Sequence, residues 1–212
     1  MNLPNKLRVL RICLIPLFLL FMIIPLPFSY GEVVCRCIAA ALFLVTALTD
    51  FLDGHLARKY GLITDFGKFL DPLADKMMIL GALLGLVVLS SSDKSASGEV
   101  YMRLLAASGF VVLFRELAVT SLRLAASGAR GVVIAANKLG KVKTVTQIVF
   151  VMIALLEPVV FGLLLPLLWA PLGIVAEYRV LSYTSMALMS VMTVWSGLGY
   201  FKAYFPLINS NK

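Results

Sequence analysis

Hydrophobic positions dominate the chain and recur in long runs that short polar stretches separate. Six runs carry almost no charge: 12–31, 37–49, 77–92, 104–114, 144–156 and 180–201. Flanking residues that snorkel or face a bundle interior can extend each run to about 20 residues, the helical length that crosses a bilayer core. The pattern predicts an all-α polytopic membrane protein with six transmembrane helices, folded as one integral-membrane domain over residues 1–212.

The composition supports this class. Of the 212 residues, 61% are hydrophobic and only 14% are charged, which lies far outside the usage of ordinary globular proteins. The first apolar run follows basic residues, as the core of a signal peptide does. It is longer than a usual signal core, contains three prolines and shows no small-residue cleavage site, so we expect it to remain as the first helix.

Basic residues indicate the orientation. If the N-terminus lies in the cytoplasm, fourteen of the nineteen Lys and Arg residues fall near cytoplasmic helix ends, and four fall outside: Arg36, Lys94, Arg103 and Arg179. This bias predicts a multi-pass protein of the cytoplasmic (inner) membrane with its N-terminus inside. The net charge of +8 then reflects topology and attraction to anionic membrane lipids, not nucleic-acid binding.

Acidic residues concentrate at one place. Five of the eleven lie between positions 50 and 75, at the cytoplasmic junction of the second and third predicted helices. Helical periodicity gives two stripes that can face each other: Asp50, Asp53, Gly54 and Ala57 on the second helix, and Gly67, Asp71 and Asp75 on the third. Like charges held close repel, so such a cluster needs divalent cations or a cationic ligand; the alternative is a solvated acidic loop.

The residue types in these stripes indicate a ligand. Oxygen-only ligands suit magnesium or manganese better than zinc, which would recruit histidine or cysteine. The small residues let a flat or phosphorylated ligand approach the helix backbone, although small residues alone also occur in plain helix packing. Arg58 adds a donor that can bind phosphate through two hydrogen bonds. Together these features predict a diphosphate site.

The window resembles the signature of the CDP-alcohol phosphatidyltransferase family. It reads Asp50-x-x-Asp53-Gly54-x-x-Ala57-Arg58, then eight residues, then Gly67-x-x-x-Asp71-x-x-x-Asp75. The bacterial phosphatidylglycerophosphate synthase branch is similar in further stretches: 2–5 with Arg8 and Arg11, 115–116, 122–123 and 137–147. The resemblance covers most of the chain up to about residue 147.

The resemblance implies roles for individual residues. Asp50, Asp53 and Asp71 would hold Mg²⁺ (or Mn²⁺), and Asp75 would lie near the metal and act as general base. The pocket for the cytidine diphosphate head of CDP-diacylglycerol would be formed by Asn5, Gly54, Ala57, Arg58 and Gly67. The implied fold is a six-helix membrane protein, usually a homodimer, with an active site open to the cytoplasm.

The implied reaction transfers the phosphatidyl group of CDP-diacylglycerol to sn-glycerol 3-phosphate, giving phosphatidylglycerophosphate and CMP. The acceptor carries a phosphate, so a second anion site is required. Candidates are Arg115, which lies within the apolar fourth helix, together with Arg123, Lys138, Lys141 and Lys143. Alternatively, Arg115 forms an ion pair inside the bundle, with a partner other than the adjacent Glu116, and the lysines reflect topology or lipid attraction.

Three other functions remain open. Another member of the same family could use inositol phosphate, serine or phosphatidylglycerol as acceptor without altering the aspartate window. A membrane transporter also carries intramembrane carboxylates, but they would be spread over several helices near the midplane. A polyprenyl-diphosphate transferase uses magnesium and paired aspartates, but the spacing around Gly54, Arg58 and Gly67 argues against it.

Overall fold

The computed structural model describes the backbone of residues 3–24, 26–27, 30–60, 65–130, 138–164 and 179–208. Side chains are described for residues 6–24, 26–27, 30–51, 72–125, 139–162 and 179–203.

The described chain is built from long helices. They are α1 (Leu3–Ile23), α2 (Gly31–Tyr60), α3 (Asp65–Ser90), α4 (Ala96–Arg130), α5 (Lys138–Val159, continued by a π-helical segment, Val160–Leu164) and α6 (Val180–Ile208). Four segments are long and apolar enough to cross a membrane: Gly31–Phe51, Pro72–Ser90, Ala96–Ala125 and Leu139–Gly162. The all-α polytopic membrane architecture is therefore confirmed, while the number of six spans stays a prediction.

Four of the described helices, α2, α3, α4 and α6, are clearly longer than the 20 residues expected, with 26 to 35 residues. Helix α2 has 30 residues and α4 has 35, which at 1.5 Å per residue gives α4 a length of about 50 Å. The predicted helices were too short because an apolar run marks only the part of a helix that lies inside the hydrocarbon. The helical hydrogen bonding continues into the polar flanks. The polar extension of α2 carries the first half of the aspartate window.

Apolar side chains hold the helices together. Helix α1 packs on α2 and α3, while α6 packs on α4 and α5. In the core, the rings of Phe18 and Phe43 meet edge to face with centroids 5.6 Å apart, and Phe150, Leu105 and Met189 are fully buried. Many other large apolar side chains are exposed on the outside of the bundle, as expected for a surface in contact with lipid.

The end of the bundle distant from Asp75 is fixed by an ion pair between two connections. Arg179, which precedes α6, donates to Asp93 in the α3–α4 connection at 2.9 Å and lies 4.8 Å from the ring centroid of Tyr101. Hydrogen bonds from the hydroxyl and the amide of Ser95, together with the charge of Arg179, lower the pKa of Asp93. This contribution to stability is present above the ordinary carboxyl pKa and is lost as the pH falls through the lowered one.

Glu157 joins α5 to the beginning of α6. Its buried carboxylate accepts hydrogen bonds from the backbone N–H groups of Leu181, at 2.9 Å, and Ser182, at 2.7 Å, and from the Ser182 hydroxyl. The first N–H groups of a helix have no partner within the helix, and the helix dipole favours a negative charge there. Glu157 therefore fixes the position of α6 against α5.

We expect Glu157→Ala to lower the free energy of unfolding by about 3 kcal/mol, because it leaves buried donors without an acceptor. The measurement is the midpoint of thermal unfolding of the purified protein in detergent. Glu99→Ala is the matched control, since Glu99 is an exposed acid in the first turn of α4 that contacts Arg103. Equal midpoints for the two variants would contradict the capping role.

Candidate active site

Two aspartates of the signature meet on one buried arginine. The Nη1 atom of Arg11, on α1, lies 2.5 Å from Oδ1 of Asp50 on α2 and 2.9 Å from Oδ1 of Asp75 on α3. The side chain of Arg11 is 0% exposed, whereas those of Asp50 and Asp75 are 37% and 53% exposed. The arginine thus lies on the interior side of two carboxylates that solvent and ligands can reach.

The sequence of α1 explains why Arg11 points inward. Arg8 and Arg11 are three residues apart and share a helix face, and both are buried. A buried arginine is costly unless carboxylates compensate its charge, which the second and third helices supply. Sequence reasoning took both arginines only as topological charges and as part of the resemblance. Their shared face was the signal that could have identified Arg11 as a partner of the aspartates.

The remaining signature positions lie on the helical backbones of α2 and α3. The side chains of Asp53, Gly54, Ala57, Arg58, Gly67 and Asp71 lie outside the described residues, as does that of Asn5 on α1. Among the described side chains, no three acidic, histidine or cysteine groups cluster. The structure brings oxygens of Asp50 and Asp75 together around one positive charge. Carboxylate oxygens are the ligands that hard cations prefer, and their negative charge attracts a cation.

A second cluster joins α4, α5 and α6. Oε1 of Glu116 accepts hydrogen bonds from Nη1 of Arg115, at 3.0 Å, and from Nζ of Lys143, and all three side chains are largely buried. Nη2 of Arg115 donates to the hydroxyl of Ser196 on α6 at 2.6 Å. The expectation that Glu116 is too adjacent to pair with Arg115 was wrong. Neighbouring residues point about 100° apart, but the long arginine stem bends back across that angle.

Tyr200 of α6 completes this second cluster. Its hydroxyl accepts a hydrogen bond from Arg123 at 2.8 Å, and the guanidinium carbons of Arg115 and Arg123 lie 5.5 and 5.0 Å from its ring centroid. The ring lies close to Gly140 of α5, where a Cβ would make an ordinary van der Waals contact with the tyrosine hydroxyl at 3.4 Å. Sequence reasoning missed the α6 residues, although Ser196 and Tyr200 are four apart and so share a face.

Comparison with known proteins identifies the family. Residues 1–195 match the family model described as CDP-alcohol phosphatidyltransferase. The chain belongs to this family. It is 42% identical over 168 residues to the CDP-diacylglycerol–glycerol-3-phosphate 3-phosphatidyltransferase of Bacillus subtilis, which covers 76% of this chain and 80% of the relative.

Two further relatives match over most of their length. The CDP-diacylglycerol–glycerol-3-phosphate 3-phosphatidyltransferase of Pseudomonas fluorescens is 33% identical over 213 residues, covering 100% of this chain and 94% of the relative. A probable phosphatidylglycerophosphate synthase of Mycobacterium tuberculosis is 36% identical over 202 residues, covering 94% of this chain and 79% of the relative. These matches extend over the helices that carry both clusters.

In this phosphatidyltransferase, the cations predicted for the second anion site do not all lie on one side of the helices that carry them. Arg115, Arg123 and Lys143 lie around Glu116 and Tyr200. Lys141 is exposed and, being two residues from Lys143, lies on another side of α5. The side chain of Lys138, at the first position of α5, is outside the described residues.

The two clusters of the phosphatidyltransferase are neighbours. Lys76, adjacent to Asp75 on α3, donates to the Thr120 hydroxyl at 2.7 Å, and that hydroxyl donates to the backbone carbonyl of Glu116 at 2.7 Å. The accessible carboxylates on α2 and α3 therefore lie beside a group of three cations on α4 and α5. Glu116 is the one described carboxylate within that group.

Proposed function

We propose that this protein transfers the phosphatidyl group of CDP-diacylglycerol to sn-glycerol 3-phosphate, releasing CMP, at the cytoplasmic face of the inner membrane. The observation that carries the proposal is the convergence of Asp50 and Asp75 beside the cations around Glu116. The two aspartates suit a metal-bound diphosphate, and the cations around Glu116 suit the phosphate of an acceptor. The names of the relatives support the choice of donor and acceptor.

On the donor side, Asp50, Asp53, Asp71 and Asp75 would hold Mg²⁺ or Mn²⁺. The fit rests on the two described carboxylates, whose hard oxygen donors already face one shared positive charge. When bound, the metal supplies neutralisation of the charge on the diphosphate. Asn5, Gly54, Ala57, Arg58 and Gly67 would bind the cytidine diphosphate head.

Asp75 is suited to act as the general base. Its side chain is about half exposed, and the adjacent Lys76 connects α3 through the Thr120 hydroxyl to the helix that carries Glu116. Asp75 takes the proton of the acceptor 1-hydroxyl, and the hydroxyl oxygen bonds to the lipid-side phosphorus as the bond from that phosphorus to the CMP oxygen breaks. Arg11 holds the carboxylate oriented during this transfer.

On the acceptor side, Arg115, Arg123 and Lys143 would bind the phosphate of glycerol 3-phosphate. The buried Nε atoms of Arg115 and Arg123 have no hydrogen-bond partner among the described residues, so both guanidinium groups keep donors for an anion. Lys138 and Lys141 would add positive charge near the entrance. We also expect the protein to form a homodimer, as the family resemblance implies.

The test is an assay of CMP release by the purified protein with CDP-diacylglycerol, Mg²⁺ and a panel of acceptors. We expect rapid turnover only with glycerol 3-phosphate, because the cations around Glu116 suit an acceptor that carries a phosphate and because the names of the relatives favour glycerol 3-phosphate over inositol phosphate. Reactions without acceptor serve as the control for hydrolysis of the donor. A preference for inositol phosphate, serine or phosphatidylglycerol would overturn the acceptor, and no CMP release with any acceptor would overturn the activity itself.

A further inference from the structure

Arg11 contacts both of the signature aspartates whose side chains are described, and it does so with a single nitrogen atom. Because that nitrogen lies 2.5 Å from one carboxylate oxygen and 2.9 Å from the other, those two oxygens are at most 5.4 Å apart. Two carboxylates this close repel each other strongly at the reduced dielectric of a protein site. Each also belongs to a different helix, so without a cation between them the repulsion would drive the two side chains apart.

The burial of the three side chains shows from which side this contact is made. Arg11 has no exposed surface, while both carboxylates keep a substantial accessible surface. The arginine therefore does not block the approach of a ligand to the two acids. It holds them from the interior, as outer-shell hydrogen-bond donors hold the carboxylates of metal sites.

We propose that Arg11 is a positioning residue for the divalent-cation site. It fixes Oδ1 of Asp50 and of Asp75 on the buried side and keeps both carboxylates converged on their accessible side, where the cation binds. This inference rests on the proposed function, since that function supplies the cation. It adds a residue from α1 to a site whose signature lies entirely on α2 and α3.

The experiment measures Mn²⁺ binding by the purified full-length protein in detergent, through the electron paramagnetic resonance signal of free Mn²⁺. We expect Arg11→Gln to weaken Mn²⁺ binding about 10- to 100-fold, the usual cost of losing an outer-shell partner. Arg11→Lys keeps the charge but is shorter and lacks the planar fork, so we expect a loss of about threefold to tenfold. Arg103→Gln, an exposed arginine on α4 paired with Glu99, is the control and should bind as the wild type does.

The outcomes separate this inference from the function on which it rests. Wild-type protein that does not bind Mn²⁺ would overturn both the metal site and the role of Arg11. Wild-type binding together with unchanged or tighter binding by Arg11→Gln would overturn the role of Arg11 alone. If Arg11→Gln does not fold, Arg11→Lys decides the matter, because wild-type Mn²⁺ affinity in that variant would equally contradict a positioning role.

Discussion

Asp75→Asn is expected to lower the rate of CMP release by about 10²- to 10⁴-fold while largely preserving nucleotide binding. The rate falls because the variant lacks the proton acceptor, and general-base catalysis typically contributes a factor of this size to the rate. Binding is preserved because asparagine keeps a carbonyl oxygen in the same place, so Arg11 can still donate to it. The rate is measured with saturating CDP-diacylglycerol and glycerol 3-phosphate, and binding with a CDP titration of the purified variant.

The matched control for this prediction is Asp93→Asn. Asp93 follows α3 at its other end and contacts Arg179 and Ser95, so its replacement should leave turnover unchanged. Near-normal turnover by Asp75→Asn would remove Asp75 as the base. A loss of CDP binding as large as the loss of rate would instead assign Asp75 mainly to metal or nucleotide binding.

Arg115→Ala is expected to raise the KM for glycerol 3-phosphate about 10- to 100-fold, with a much smaller change in the KM for CDP-diacylglycerol. A hydrogen bond to a charged group contributes about 1.5–3 kcal/mol, which corresponds to this range. The two KM values are expected to change by different factors because Arg115 and the signature aspartates lie on different helices. Arg115 lies with Glu116, Ser196 and Tyr200 on α4 and α6, whereas the signature aspartates lie on α2 and α3.

Arg103→Ala tests whether this effect is specific. It removes an exposed arginine from the same helix, and we expect wild-type KM values for both substrates. If Arg115→Ala leaves the KM for glycerol 3-phosphate unchanged, Arg115 has only a structural role, in its ion pair with Glu116. A parallel rise in both KM values, with a lower unfolding temperature, would indicate the same structural role, because Lys143 would then be the only described partner of Glu116.

Several features of the site could be predicted from spacing alone. The i, i+3 and i, i+4 intervals in the window placed Asp50 and Asp75 near the facing ends of two helices, and the structure brings these two carboxylates together. The roles of all the signature residues stay predictions, and the side chains of Asp53, Asp71 and the small residues between them lie outside the described residues. The helix lengths were underestimated, since hydropathy records the lipid-facing part of α4 and does not register its polar end.

The partners of the charged residues could not be predicted in the same way. Arg11 contacts acids 39 and 64 positions away, and Arg123 reaches Tyr200 77 positions away. Nothing in local sequence specifies such pairs, because they depend on which helix faces pack together. Glu116 illustrates this further, since its partner Lys143 comes from α5 and its contact with the adjacent Arg115 depends on the side-chain conformation.

The sequence by itself determined the membrane class, the helical architecture and the family, because hydropathy, periodicity and a spaced signature are local properties of the chain. Only the tertiary structure decided that Arg11 contacts Asp50 and Asp75 from the interior and that α6 contributes Ser196 and Tyr200 to the cationic cluster. The physical reason is that a buried charge must be compensated by whatever lies next to it in space. In a helical bundle, those neighbours come from helices that are far apart along the chain.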